Sequence, residues 1–551
     1  MSHLSRPSVA CTPGGPRSAA LTLLALLQLS LPSLAAPAQA QAARASPRTA
    51  PAAAPREDPR LAGLDAYVAR AVADWEVPGL ALAVVKDGEV VFSRGYGVRE
   101  LGKPGRVDPD TLFAAASTTK AFTALALAML VEEGKVSWDA PVSTYLPGFA
   151  LADPYLTAHL TVRDVVSHRS GLPNADRLWY FAGQSARELV AAQRHLAPEA
   201  TLRARYRYNN NLYAVAGAVI EAASGRTWPD FLRTRILAPL GMHRTLPGFQ
   251  GLLSAPNVAS AHDRVDGKVV PIPHLDFDTI APAGAMNTSV AEMTHWLRFL
   301  LEGGAGGAGG KPLVSAAGLA QLLTPQTLIP LDAYYPAARR AGAHFTAYGL
   351  GWFLQDYRGR KLAMHTGSID GKVALVGLLP EERLGLVVFA NLDHAEVRHA
   401  LMYRVFDAFT GAPPRDWSAE LLALHREELA KAAAEERELE AARVPGTTPS
   451  LPPERYAGGY AHPAYGRLAV AHEGGRLVVR VGRGFTGTLE HWHRDTFRAE
   501  WKGRHQKELF SFTLGPDGGV REVLVGSGED ALAFAREAPA AAGTAPAPAA
   551  R

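Results

Sequence analysis

At 551 residues, 47% hydrophobic and 20% charged, the chain has the make-up of a globular protein long enough for two or three folded units. Residues 1–40 hold Arg6 and Arg17 and no acids; without them 55 basic residues face 53 acidic ones, a balance that gives no reason to expect nucleic acid or an anionic membrane as a partner. The one cysteine, Cys11, falls in the same forty residues, which excludes disulfides, a thiol nucleophile and a Cys-based zinc site from the rest.

Those first forty residues read as a secretory signal: two arginines, an apolar stretch from 19 to 34, then Ala38-Gln39-Ala40 for cleavage. Gln28, Ser30, Pro32 and Ser33 break the apolar run well short of the ~20 residues a membrane span needs. The expected location is the periplasm or outside the cell, with no integral membrane segment after signal removal. Residues 41–58, rich in Ala, Pro and Arg, read as a disordered linker.

A unit over residues 59–412 follows. Leu61, Leu64, Val68 and Val72 have helical spacing, and two apolar runs flank Asp87-Gly88, a hairpin turn. Residues 118–133 read as a helix stopped by Gly134, and mostly helical sequence continues past Trp296. Residues 303–310, nearly all Gly and Ala, lack the Gly-Lys-Ser/Thr ending of a phosphate loop and read as a surface loop. Residues 373–379 and 384–390 form a second hairpin around Pro380-Glu381-Glu382-Arg383. Strands at both ends and helices between predict an α/β unit, an antiparallel sheet flanked by helices with an all-helical subdomain. Residues 413–445 carry a charged helix (418–443) that reads as a solvated spacer, so a cut near residue 412 is expected to leave a folded core. Residues 446–538 switch to short alternating strands, at 468–470, 476–481, 496–501, 509–514 and 520–525, which predict a small all-β domain. The tail, 539–551, reads as disordered.

Three short elements carry chemistry. Ser117-Thr118-Thr119-Lys120 starts a helix, so one turn brings the Lys120 amine beside the Ser117 hydroxyl, a poor nucleophile without a base. Alone, the pattern reads sooner as an N-cap serine with a surface lysine. Tyr208-Asn209-Asn210 precedes another helix; beside an ammonium the Tyr208 phenol can ionise and carry protons, and the Asn210 amide can hold a lysine and a carbonyl. Alone, it reads as a turn with an Asn cap. His365-Thr366-Gly367-Ser368 lies in strand-like sequence, where Gly367 permits close substrate approach while Thr366 and Ser368 offer hydroxyls.

Taken together and in this order, S-x-x-K, Y-x-N and H-T-G resemble the signature of the serine β-lactamase-like hydrolases, which include class C β-lactamases, D,D-carboxypeptidases, D-aminopeptidases and esterases. The resemblance covers about residues 60–410 and includes Val166-Ser167-His168-Arg169-Ser170-Gly171-Leu172-Pro173, Leu237-Ala238-Pro239-Leu240-Gly241-Met242, Pro282-Ala283-Gly284 and Tyr348-Gly349-Leu350-Gly351-Trp352. It implies acyl transfer without metal or cofactor. Ser117 would attack a carbonyl, Lys120 and Tyr208 would move its proton, and Asn210 would position Lys120 and substrate. His365 would lie near Tyr208 and bias its ionisation. The amides of Ser117 and Ser368 would form the oxyanion hole, with Thr366 and Ser368 on a substrate carboxylate. His365 stands where class C β-lactamases usually have Lys, so the expected substrates are D-amino-acid peptides or small esters and amides. A β-lactamase and a non-catalytic peptide or β-lactam sensor are the alternatives.

His168 reads as structural, and His491 and His493 as β-surface histidines rather than metal ligands. Tyr456-Ala457-Gly458-Gly459-Tyr460, Tyr465-Gly466 and Leu489-Glu490-His491-Trp492-His493 resemble the lipocalin-like barrel appended to some members of this family. That resemblance implies a gate, an oligomer surface or a small-ligand binder; a homo-oligomer is left open.

Overall fold

The structure, a computed structural model, describes residues 58–305, 311–482, 484–502, 507–528 and 531–538. The secretory signal, residues 41–57 of the linker, residues 306–310 of the Gly-rich loop and the tail lie outside the described residues.

The chain enters through α1 (Leu64–Asp74), which buries Leu64 and Val68. It then forms the hairpin of β1 (Gly79–Lys86) and β2 (Glu89–Gly97). Asp87 and Gly88 turn it with φ of 53° and 81°, the left-handed conformations that match hairpin twist. Three long helices follow: α2 (Thr119–Glu132), α3 (Asn211–Ser224) and α4 (Val290–Leu301). The last part of the unit supplies β3 (Thr327–Ile329), β4 (Thr346–Tyr348), β5 (Phe353–Tyr357), β6 (Arg360–Ile369), β7 (Lys372–Leu379) and β8 (Leu384–Ala390). Then come α5 (Val397–Thr410) and α6 (Trp417–Ala441).

The strands make one eight-stranded antiparallel sheet in the order β2-β1-β8-β7-β6-β5-β4-β3, so the first and last parts of the unit meet where β1 pairs with β8. Both faces are covered. Leu80, Leu82 and Val84 of β1 pack with α1, α5 and the start of α6, while Ala81, Ala83 and Val85 face the cluster that contains α2, α3 and α4. Every residue of α2 from Thr119 to Leu130 is buried, so this helix is the centre of the helical layer and fixes whatever its first turn carries.

The solvated-spacer expectation for α6 holds for most of its length but not at its start. Trp417, Ser418 and Leu421 are buried, Trp417 Nε1 donates to Asp407 (2.6 Å), and Trp75 Nε1 donates to Ser418 Oγ (3.0 Å). A cut at residue 412 therefore removes part of the core rather than a linker.

The C-terminal strands close into an eight-stranded barrel, β9 (Gly458–His462), β10 (Gly466–Glu473), β11 (Arg476–Val481), β12 (Phe485–His493), β13 (Thr496–Trp501), β14 (Lys507–Leu514), β15 (Val520–Val525) and β16 (Leu532–Arg536). β9 pairs with β16 to complete the ring, leaving no free edge. Its interior is filled by its own side chains, among them Tyr460, Phe497, Phe510, Phe512 and Phe534. Sequence runs alone pick out five of these strands; β9, β12 and β16 are interrupted by Gly, His and Arg. His491 and His493 sit on either side of a bulge in β12, and each is used locally: His491 Nε2 bonds with the Arg494 carbonyl, and His493 Nδ1 accepts from Val444 N.

The barrel docks on the α/β unit at residues 177–184. Phe181 packs against Phe485 and Trp501 (centroids 5.1 and 5.6 Å), Arg177 donates to the Val525 carbonyl (3.0 Å), and Gln184 donates to the Ala464 carbonyl (2.6 Å).

Candidate active site

Ser117 sits in a 3-10 turn, Ala116–Thr118, that runs directly into α2. Ala116 is held at φ 45°, a left-handed conformation unusual for alanine, and this kink turns Ser117 to the mouth of a cavity while Lys120 points inward. Ser117 is half-buried; Lys120 is fully buried. The amine Nζ of Lys120 lies 3.0 Å from Ser117 Oγ, 2.7 Å from Asn210 Oδ1 and 3.0 Å from the Ala283 carbonyl oxygen. Burial pulls its pKa down to about 7, a shift only partly offset by the negative charge of Asp176.

Three consecutive asparagines divide the work at the start of α3. Asn209 Oδ1 accepts from Leu212 N (2.9 Å) and caps the helix. Asn210 is thereby free to reach Lys120, and its Nδ2 donates to both carboxylate oxygens of Asp176 (3.0 and 3.1 Å). Asn211 Nδ2 donates to the carbonyls of Asn174 and Ala175 (2.8 and 3.1 Å), pinning the loop that delivers Asp176.

Tyr208 lines the cavity together with Ser117, and Lys120 Nζ lies 4.8 Å from the centre of its ring. Burial raises its phenol well above the usual tyrosine range, so the neutral phenol is its resting form. The imidazole beneath it is His168, with ring centroids 4.3 Å apart. His168 is fully buried, accepts from Asn209 N (3.1 Å), and is kept neutral by burial and by Lys120.

β6 forms the opposite wall, with Thr366 and Ser368 facing the cavity. Gly367 lies against the turn that carries Ser117: a Cβ there would stand 2.5 Å from the Ala115 carbonyl oxygen and 2.9 Å from the Ser117 amide nitrogen. Glycine therefore keeps the space before that amide open. His365 departs from expectation. Its Nε2 bonds with the Tyr348 hydroxyl (2.8 Å), its Nδ1 with the Thr366 carbonyl (2.6 Å), and its ring centroid is 6.5 Å from that of Tyr208. Burial and nearby Lys120 pull its pKa down to about 3, so it brings no charge with which to bias Tyr208. It braces the wall.

Arg398, from α5, is the unanticipated member of that wall. Its guanidinium is 3% exposed and donates to the Gly367 carbonyl (2.5 Å), Ser368 Oγ (3.0 Å) and Glu396 (2.6 Å). Thr366 Oγ1 is hydrogen-bonded to the Tyr335 hydroxyl. The cavity, about 460 Å³, is lined by Ser117, Asn210, Thr366 and Ser368 and by five aromatic rings: Tyr206, Tyr208, Tyr334, Tyr335 and Phe353. Among the described residues, none from the barrel lines it.

The structure thus brings Ser117, Lys120, Tyr208, Asn210, Thr366, Gly367 and Ser368 together and sets His365 behind them. His168 is buried and bonded to backbone, in keeping with its structural reading. Asp176 and Arg398 were missed; they carried no signal, since their partners are distant in sequence.

Residues 442–536 match a domain of unknown function, DUF3471. An unguisins hydrolase of Aspergillus violaceofuscus is 31% identical over 82% of this chain and 85% of its own. Penicillin-binding protein 4 of Amycolatopsis lactamdurans is 27% identical over 68% of this chain and 93% of its own. Among solved structures, the octameric penicillin-binding protein homologue from Pyrococcus abyssi shares the fold, with a TM-score of 0.58 at 23% identity over 86% of this chain and 99% of that one. Residues 64–408 match the Beta-lactamase family model, and the chain belongs to that family of serine hydrolases.

Proposed function

We propose that the protein is an acyl-enzyme serine hydrolase with Ser117 as nucleophile, acting on D-amino-acid-containing peptides or small esters and amides. The observation that carries this reading is Lys120 Nζ, 3.0 Å from Ser117 Oγ and held near neutrality by burial. A neutral amine has two N–H groups and one lone pair. Asn210 Oδ1 and the Ala283 carbonyl take the two N–H groups, which leaves the lone pair for the Ser117 hydroxyl.

Ser117 Oγ attacks the substrate carbonyl carbon as its proton passes to Lys120. The negative charge formed on the carbonyl oxygen meets the Ser117 amide, with Ser368 as second donor. The neutral Tyr208 phenol, which shares the cavity with Ser117, passes a proton to the leaving group and regains one from Lys120. Water then attacks the acyl-enzyme by the reverse route. His365 supports β6 and takes no part in proton transfer.

The aromatic lining favours an apolar or aromatic group beside the scissile bond, and Thr366 and Ser368 offer hydroxyls to a carboxylate or carbonyl. A neutral His365 supplies no fixed positive charge, which favours peptides, amides and esters over β-lactams. The 31% identical relative is itself named as a hydrolase. Residues 1–40 support action in the periplasm or outside the cell. The test of substrate class compares kcat/KM for D-amino-acid amides, D-Ala-D-Ala peptides, short esters and nitrocefin. Peptides, amides or esters are expected to lead; a dominant nitrocefin rate would overturn the assignment.

A further inference from the structure

Asp176 lies outside the cavity wall and does not touch Ser117, yet it is built into the site from behind. Its two carboxylate oxygens accept from Asn210 Nδ2 at 3.0 and 3.1 Å, and one also accepts from Trp179 Nε1 at 2.8 Å. Burial pushes the Asp176 carboxyl above its usual range, while these donors and the Lys120 ammonium favour the ionised form, in which the carboxylate only accepts. The next residue, Arg177, is anchored on the barrel through the Val525 carbonyl and Glu508 (3.0 and 3.3 Å).

An ionised carboxylate only accepts, so the Asn210 amide has a single orientation: its NH2 toward Asp176 and its carbonyl toward Lys120. Turned the other way, Asn210 would aim an N–H at Lys120 and occupy the lone pair that Ser117 needs. We propose that Asp176 is a positioning residue for the general base, locking the Asn210 amide and thereby turning the Lys120 lone pair onto Ser117. The proposal rests on the Ser117–Lys120 reading above.

The same geometry places one charge near Lys120. The other titratable groups packed around it are Tyr208, Tyr213, His168 and His365, and burial keeps all four uncharged at neutral pH. Asp176 is the charge Lys120 faces, and its sign favours the protonated amine. Removing that charge makes Lys120 lose its proton at lower pH, even as the freed Asn210 amide misdirects it. A purely structural carboxylate would not link these two effects.

The test is the pH–rate profile of the full-length chain with p-nitrophenyl acetate. Asp176→Asn is expected to lower kcat by about 100-fold, the scale of a misplaced catalytic group, with KM little changed and the acid limb moved to lower pH. Asp176→Glu keeps the charge but shifts it by one carbon; kcat falls while the acid limb stays at the wild-type position. A folded Asp176→Asn variant with the wild-type acid limb overturns the proposal. If that variant does not fold, Asp176→Glu with wild-type kcat overturns it. Ser117→Ala in the same assay separates the two failures: it is inactive if only the Asp176 assignment is wrong, and active if the Ser117 reading, and with it this proposal, is wrong.

Discussion

Lys120 and Gly367 set the two tightest conditions on the proposed catalysis, one electrostatic and one steric. Because burial lowers the Lys120 pKa to about 7, the amine is protonated and useless as a base below that pH and free above it. Activity, as kcat/KM on a small ester, is therefore expected to rise with pH through about 7. A profile flat from pH 5 to 9 would remove Lys120 as the base. At Gly367 a single methyl group collides with backbone, not with a side chain that can swing away. Gly367→Ala is expected to lower kcat/KM by about 100-fold or more and stability by about 1–3 kcal/mol, read by steady-state kinetics and urea unfolding. The legible part of the site was the part written locally. Ser117 and Lys120 lie one helical turn apart, and Tyr208 and Asn210 share a junction, so spacing alone brought them to notice. Asp176 and Arg398 reach their partners across 34 and 31 residues, and no local pattern marks such contacts.

Helix α6 shows how an element can read one way along most of its length and act another way at one end. Its charge pattern is that of a solvated helix, and Leu429 and Leu439 are indeed exposed. Its first turn closes the core beneath the sheet, where Trp417 stacks on Tyr403 (4.8 Å) and Ser418 N donates to Tyr67. Trp417→Ala is expected to cost about 3–5 kcal/mol, the range for an emptied aromatic site, measured by chemical denaturation, while Ser117 acylation of the folded fraction is unchanged. A loss below 1 kcal/mol would place α6 outside the core. The sheet was more legible: the Asp87-Gly88 and Pro380–Glu382 turns are local signals flanked by apolar runs. The barrel was legible as all-β but not as closed, because closure depends on β16 returning to β9.

At the scale of the molecule, the barrel grips residues 177–184, and the same segment carries Asp176 at its head and Tyr180, bonded to Asp370 just beyond β6 (2.8 Å), in its middle. The barrel thus braces two walls of the cavity, while none of its described residues lines it. A chain ended after Arg443 keeps α6 and every residue of the site. It is expected to acylate at Ser117 with a lower melting temperature, because Phe181 loses Phe485 and Trp501. A monodisperse, folded truncation that fails to acylate would assign the barrel a direct part in the chemistry.

The most direct test of the account is covalent labelling of the full-length protein with a fluorophosphonate or fluorescent penicillin, followed by peptide mapping. The account predicts one adduct, on Ser117, with labelling lost in Ser117→Ala. A stoichiometric adduct on another residue, or undiminished labelling of a folded Ser117→Ala variant, would contradict it.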